Sequence, residues 1–287
     1  EMGGIPSKET VLKAAPISDR PQAPFAPAPI EQVVDTIKAE KPAMVFAPHV
    51  ETASGIILPD DYLKQVADAV HSVGGLFVLD CIASGTIWVD MKKVGVDVLI
   101  SAPQKGWTGP AGAALVMLSQ LALQRLETTC STSFVLSLNK WDGIMDSYLN
   151  GGFGYHTTMP TDALREFHNI TKEMESIGIP NFKGYQAELG VKARAMLEGK
   201  GLKSVAAPGN EAPGVLVYYS PEGMDNPTMV SKFLENGMQI AMGVPWMIDE
   251  GATQTFRLGL FGIDKLTNID ACVNELETAL DKVMMSK

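Results

Sequence analysis

The chain has 287 residues, a formal net charge of −10 and 46% hydrophobic residues. Its pI near 4.9 argues against a general binder of nucleic acid or of anionic membranes, while the apolar content is enough for a real core in one large or two ordinary domains. No apolar run is long enough to span a bilayer, and three scattered cysteines, Cys81, Cys130 and Cys272, without a C-x-x-C, offer neither a disulfide framework nor a zinc site.

Residues 9–14 read as a short strand, followed by a connector studded with Pro16, Pro21, Pro24, Pro27 and Pro29. Pro29 stands where a helix can begin. Ile30, Val33, Val34 and Ile37 follow at i, i+3, i+4 and i+7 and predict an amphipathic helix ending near Lys41-Pro42. Residues 43–47 predict a short buried strand that runs into the small-polar loop H-V-E-T-A-S-G. A second helix after Asp60 carries Leu63, Val66, Ala67 and Val70 on one face and closes at Gly74-Gly75. Residues 76–79 form the next strand, ending in Asp80, and residues 96–100 and 113–118 two more. Helices alternating with apolar, non-alternating strands predict an α/β domain with a mainly parallel sheet. Ligands bind beyond the carboxyl ends of such strands. Residues 49–54, 80–84 and 101–105 all fall there, so three loops converge on one candidate site.

Two strongly helical stretches come next. One follows Pro160-Thr161 with Leu164, Phe167, Ile170, Met174 and Ile177 inward, and the other runs through Tyr185, Leu189, Ala193 and Leu197 to Gly199. Beyond Ile177 the pattern becomes α+β, with strands at 215–219 and 254–260, a helix near 228–235 and a last helix from Asn268. Thr267 and Asp270 have the spacing of a capping box. The expected organisation is a large domain over residues 1–177 and a smaller C-terminal domain over 178–287, with no internal repeat.

Lys105 stands just past a buried strand in S-A-P-Q-K-G-W-T-G-P-A-G. Loop lysines are commonly just solvated, but a partly desolvated one becomes a nucleophilic amine able to form a Schiff base. Asp80 ends a neighbouring strand; a helix cap or a salt bridge would explain it equally, and a carboxylate buried there needs a partner. Taken together, an acid that keeps a heteroaromatic nitrogen protonated and a lysine that holds the aldehyde of the same ring form the arrangement of a pyridoxal phosphate site.

The runs L-D-C-I-A-S-G and S-A-P-Q-K-G-W-T-G-P-A-G, with H-V-E-T-A-S-G before them and G-F-G-Y-H-T-T-M-P and F-R-L-G-L-F-G after, resemble the class V aminotransferases of fold type I in motif and in order. The nearest group is the alanine/serine–glyoxylate aminotransferases, and the resemblance covers nearly the whole chain. It implies that Lys105 would hold the aldehyde of pyridoxal 5′-phosphate and shuttle the substrate Cα proton. It also implies that Asp80 would pair with the pyridinium nitrogen, that Ile82 would pack beneath the ring, and that Thr52 would lie near the ring hydroxyl or the substrate. Gln104 would reach the phosphate, as would Tyr155 and Thr158 from a neighbouring subunit, so the site would require a homodimer. Arg257 would clamp the substrate α-carboxylate, a task that suits a planar bidentate donor.

Simpler roles stand beside these. Gln104 could satisfy loop backbone, and Arg257 could be an exposed strand residue. His49 and His156 fit structural hydrogen bonds, His71 and His168 fit ordinary helix positions, and Trp107 fits either core or pocket mouth. Within the superfamily, cysteine desulfurases carry His-Lys where this chain has Gln-Lys, and Cys81 reads as packing. The resemblance also implies a further N-terminal part ahead of Glu1, supplying a phosphate-holding turn and a ring stacked on the cofactor; neither can be located here. Transamination between alanine or serine and glyoxylate or pyruvate is the expected activity. A catalytically silent protein of the same fold and a pyridoxal phosphate lyase or desulfurase are the alternatives. No nucleic acid, membrane or metal partner is expected, and the composition suits the cytoplasm.

Overall fold

The computed structural model describes residues 8–246 and 248–285. The first part runs β1 (Ala15–Pro16), β2 (Phe25–Ala26), α1 (Ile30–Glu40), β3 (Met44–Pro48), β4 (Val50–Glu51), β5 (Ile56–Ile57) and α2 (Asp60–Ser72). It continues through β6 (Leu76–Asp80), α3 (Met91–Val94), β7 (Val98–Ser101), β8 (Leu115–Leu118), α4 (Gln120–Glu127), α5 (Leu138–Leu149) and α6 (Thr161–Ile177). The rest comprises α7 (Asn181–Gly199), β9 (Val215–Tyr219), α8 (Asn226–Glu235), β10 (Ala241–Met242), β11 (Thr255–Gly259), α9 (Ile263–Leu266) and α10 (Ile269–Met285).

The first sheet has the order β3-β6-β7-β8, with β3, β6 and β7 parallel and β8 antiparallel at the edge. One of its faces carries Phe77, Leu79 and Leu99, which pack with Val33 and Ile37 of α1 and Leu63, Val66 and Val70 of α2. Each such side chain contributes about 1.5–3 kcal/mol when fully buried, so this layer holds the helices on the sheet. The other face is less covered and is open along β3, although Val78 at its centre is buried. Register aligns Phe46, Val78, Val98 and Leu118 across it, and Phe46 is 70% exposed. The expectation of a short buried strand at 43–47 is therefore corrected: burial alternates along β3 because helices cover only one side of it.

A second core joins Met174, Phe182, Leu189 and Leu197 to Leu216, Tyr218, Phe256 and Leu258, and closes over Phe233, Leu276, Leu280 and Val283. Here β9 and β11 pair antiparallel, with β10 on the far side of β11. The opposite face of β9 presents Val215, Val217 and Tyr219 to Val50 and Ala83, which belong to the carboxyl-end loops of the first sheet. The two halves meet at this small apolar cluster.

Residues 9–14 form no strand; they lie along the surface, and the ladder forms instead between β1 and β2. The connector grips the second half, since Phe25 donates its N–H to Val205 O at 2.7 Å and Tyr219 Oη donates to Ala23 O at 2.8 Å. The capping box is also absent. Thr267 Oγ1 donates backward to Ile263 O at 2.7 Å, and Asp270 accepts from Lys192 Nζ at 2.7 Å. Helices α4 and α5 have no counterpart among the sequence expectations. Ser119 starts α4 by accepting from Ala122 N at 3.1 Å. Among the described residues no helix is long and apolar enough to cross a membrane, and no cluster of His, Cys, Asp or Glu could hold a metal ion.

Candidate active site

Asp80 ends β6 with Pro48 beside it on β3 and Ile100 on β7. Pairing continues one step further: Cys81 N donates to Ile100 O at 2.7 Å and His49 N donates to Asp80 O at 2.8 Å. The three strand ends are therefore level, and their loops leave side by side. The Asp80 carboxylate lies on the less covered face and is exposed, not buried, so the expected burial penalty does not arise. Its Oδ1 accepts from Ile82 N at 2.9 Å, which turns the chain away from the strand and sets the half-buried Ile82 next to it.

Lys105 is half-buried, and among the described residues its amine has no hydrogen bond or ion pair. Its loop is tightly folded: Thr108 N donates to Lys105 O at 3.0 Å, and Gly109 N donates to Pro103 O at 2.8 Å. Trp107 Nε1 donates to Ser101 Oγ at 3.2 Å while its ring lies 4.7 Å from that of Trp88 and 6.3 Å from that of Phe167. Trp107 thus packs beneath the loop. Gly106 rests directly on the backbone of Gly85, where a Cβ would overlap the Gly85 carbonyl oxygen. Gly85 follows the Asp80 loop, so this contact locks the two loops together. Gln104 is exposed beside Lys105.

Thr52 lies half-buried in the turn between β4 and β5. Trp246 Nε1 donates to Ala53 O at 3.3 Å, and a Cβ on Gly55 would lie 3.0 Å from Val215 O and 3.1 Å from Val217 Cγ2. This hairpin therefore rests on β9. His49, 2% exposed, places Nδ1 2.7 Å from Ser84 Oγ and ties the Thr52 loop to the Asp80 loop. Burial lowers its pKa to about 4, so the ring is neutral and its role is to hold the loops. Burial likewise pushes the Cys81 thiol up to about 12, which keeps it an inert packing group.

On β11, Phe256 and Leu258 enter the second core, so Arg257 takes the other face, level with Val217 on β9. That is the face on which the Thr52 hairpin rests. Arg257 Nε donates to Met242 O at 2.7 Å, and among the described residues the two terminal nitrogens have no partner. The structure thus brings the loops of Thr52, Asp80, Ile82, Gln104 and Lys105 together and borders them with the face carrying Arg257. It does not bring Tyr155 and Thr158 to them. Both are exposed between α5 and α6, with Tyr155 Oη 3.2 Å from Thr158 Oγ1. His156 Nε2 bonds to Phe134 O at 2.7 Å, a structural role, and His168 is exposed on α6. His71 does more than occupy a helix: its Nε2 lies 2.8 Å from Oδ2 of buried Asp97, which also accepts from Phe77 N at 2.8 Å. The Gly85–Gly106 contact and the bonds from His49 and Trp246 have no local sequence signal beyond small residues in the loops.

Residues 21–243 match the family model "Aminotransferase class-V". The alanine–glyoxylate aminotransferase of Felis catus is 26% identical over 266 residues, which cover 90% of this chain and 62% of that protein. The L-aspartate–glyoxylate aminotransferase of Paracoccus denitrificans (strain Pd 1222) is 26% identical, with 81% of this chain and 57% of that protein covered. Among solved structures, alanine–glyoxylate aminotransferase from Nostoc sp. superimposes with a TM-score of 0.77 at 23% identity, covering 88% of this chain and 65% of that one. The fold is that of the fold type I aminotransferases. The chain spans 57–62% of the length of these curated relatives. With the match extending over most of its residues, the chain belongs to the class V aminotransferases.

Proposed function

We propose that this chain carries a transamination site that moves an amino group from a small amino acid, alanine or serine, to a 2-oxo acid, glyoxylate or pyruvate, with pyridoxal 5′-phosphate. The observation that carries it is the amine of Lys105, half-buried and without a protein partner, in a loop locked by Gly106 against the loop of Asp80. This donor set fits an aldehyde-bearing ring: a free amine for the aldehyde, and a carboxylate with one oxygen uncommitted for a protonated ring nitrogen. Relatives named for alanine–glyoxylate, aspartate–glyoxylate and 2-aminoethylphosphonate–pyruvate transamination support the same reaction class.

When bound, the cofactor supplies an electron sink for the pair left on Cα as its proton departs. Lys105 would hold the aldehyde and then, released, accept and return the Cα proton. Asp80 would keep the proton on the ring nitrogen, and Ile82 would support the ring from below. Thr52 would contact the ring hydroxyl or the substrate, and Gln104 the phosphate. Arg257, with Nε already held by Met242 O, has two terminal nitrogens free for a bidentate grip on the substrate carboxylate. His49 stays neutral and keeps the Thr52 and Asp80 loops in register.

The working form in this proposal is a homodimer in which Tyr155 and Thr158 serve the partner's phosphate site. Its support is that α5 has no fully buried residue, while Leu149 at its end and Phe153 just beyond it are 77% and 85% exposed. Within the chain only Leu138, Trp141, Ile144 and Ser147 of this helix are half-buried, and a twelve-residue helix packed so thinly is marginal in water. The acidic, cysteine-poor composition supports a cytoplasmic setting.

The test is reduction with borohydride in the presence of pyridoxal phosphate, followed by peptide mass spectrometry. One label on Lys105, lost in Lys105→Ala together with amino transfer from alanine to glyoxylate, is the expected result. Labelling elsewhere, or undiminished transfer by the variant, overturns the proposal.

A further inference from the structure

Gln186 on α7 is completely buried at the place where the candidate site and the second sheet meet. Its Nε2 donates to Pro213 O at 3.3 Å and to Leu260 O at 3.2 Å. Pro213 stands just before β9, and Leu260 directly follows β11, the strand of Arg257. Its Oε1 has no hydrogen-bond partner among the described residues. That oxygen faces Gly85, where a Cβ would come within 2.7 Å of it. Gly85 has φ +64, and on its other side it carries the carbonyl against which Gly106, next to Lys105, is pressed. One side chain therefore spans from the Lys105 loop, through Gly85, to the end of the Arg257 strand.

The arrangement is not one that packing alone would select. A buried amide oxygen left without a partner is destabilising, and a methionine of similar length would remove that cost only by leaving the Pro213 and Leu260 carbonyls without their Gln186 donor. On the Gly85 side the oxygen meets the Cα of a glycine, whose second hydrogen points where a Cβ would be. We propose that Gln186 is a positioning residue that fixes the distance between Lys105 and Arg257. It acts as a rigid spacer: its amide N–H groups hold the β9 entry and the β11 exit, and its oxygen backs the Gly85 turn under Gly106. The inference rests on the proposed roles of Lys105 and Arg257 but reaches a residue touching neither reacting group.

The test compares the full chain with its Gln186→Met variant, and with Gln186→Leu should the first prove insoluble. Hydrogen exchange without cofactor is read first. Peptides covering residues 81–87 and 103–109 should exchange about tenfold faster, as should 258–262, while α10 peptides stay unchanged. Steady-state kinetics come second: KM for both the amino acid and the 2-oxo acid should rise about tenfold with kcat held within threefold, because a displaced carboxylate clamp weakens binding of both. Borohydride labelling of wild-type Lys105 reports on the proposed activity separately. Unchanged exchange in the three segments, or a uniform rise over the whole chain, overturns the positioning role, as does a fall in kcat with KM unchanged.

Discussion

Gly106 and Gly85 touch backbone to backbone, and the position a Cβ would take on Gly106 is already filled by the carbonyl oxygen, carbonyl carbon and Cα of Gly85. None of these atoms belongs to a flexible side chain, so Gly106→Ala has to move the loop. Overpacking of this kind costs about 1–3 kcal/mol and here acts on backbone, at the upper end of that range. The expected outcome in urea unfolding is a drop of about 3 kcal/mol, with borohydride labelling of Lys105 lost or greatly reduced. Gly184→Ala in α7 is the matched control. Nothing lies within 4 Å of its Cβ position, and it should gain about 0.5–1 kcal/mol.

His49 gives a pH dependence of defined sign. Its folded-state pKa, lowered by burial to about 4, lies below the ordinary value of 6.5. Between these values the unfolded chain binds a proton that the folded chain refuses, so stability rises with pH across that window and falls as acid is added. Below about 4 both states are protonated and this contribution levels off. The full effect is on the order of 3 kcal/mol. His49→Asn, which keeps a hydrogen-bonding group toward Ser84, should flatten the slope of unfolding free energy between pH 6.5 and pH 4. An unaltered slope would mean that other groups set the acid response.

The helices over the first sheet were legible because Val33, Ile37, Leu63, Val66 and Val70 repeat at helical spacing, and all five are buried. Asp80 and Lys105 were legible as ends of apolar strands. Their environments were not. Asp80 is exposed because its face of the sheet is less covered, a property of what packs on the sheet, which a local pattern does not encode. Burial of β3 failed for the same reason: Val45 and Phe46 are both apolar, and only the layering separates them. The twelve residues of α5 were not legible because its half-buried side is short, resting on Leu138, Trp141 and Ile144, and makes only a weak stripe. Gln186 is a single polar residue on a helix and becomes meaningful only once Pro213, Leu260 and Gly85 have been brought around it.

Thr108 is strained next to Lys105. It has φ 62, a conformation unfavourable for a β-branched residue, and its buried Oγ1 has no partner among the described residues. Left-handed backbone at a residue other than glycine costs about 1–3 kcal/mol, and the orphaned hydroxyl a similar amount. Glycine removes both but adds about 0.5–1 kcal/mol of unfolded-state entropy. Thr108→Gly should therefore stabilise the chain by about 1 kcal/mol in thermal or urea unfolding. If the strain serves to hold Lys105 in place, the same variant should label more slowly with borohydride despite its greater stability.

The apolar surface around α5 makes the last prediction. Leu136, Leu149, Phe153 and Tyr155 are each at least 75% exposed, and they cluster about the ends of a helix with no fully buried residue. A monomer would leave this surface in water, whereas a second copy in the proposed homodimer would cover it on both sides of a twofold axis. Leu149→Glu combined with Phe153→Glu should convert a dimer into a monomer in analytical ultracentrifugation. Because neither side chain is buried within the chain, the intrinsic stability of the protomer should change by no more than about 0.5 kcal/mol. The two glutamates would instead bring four like charges together across the axis, where unpaired charge is costly to desolvate. If Tyr155 and Thr158 serve the partner's site, cofactor affinity falls along with dimerisation. A wild-type chain that sediments as a monomer while still labelling fully at Lys105 would sink the shared-site arrangement.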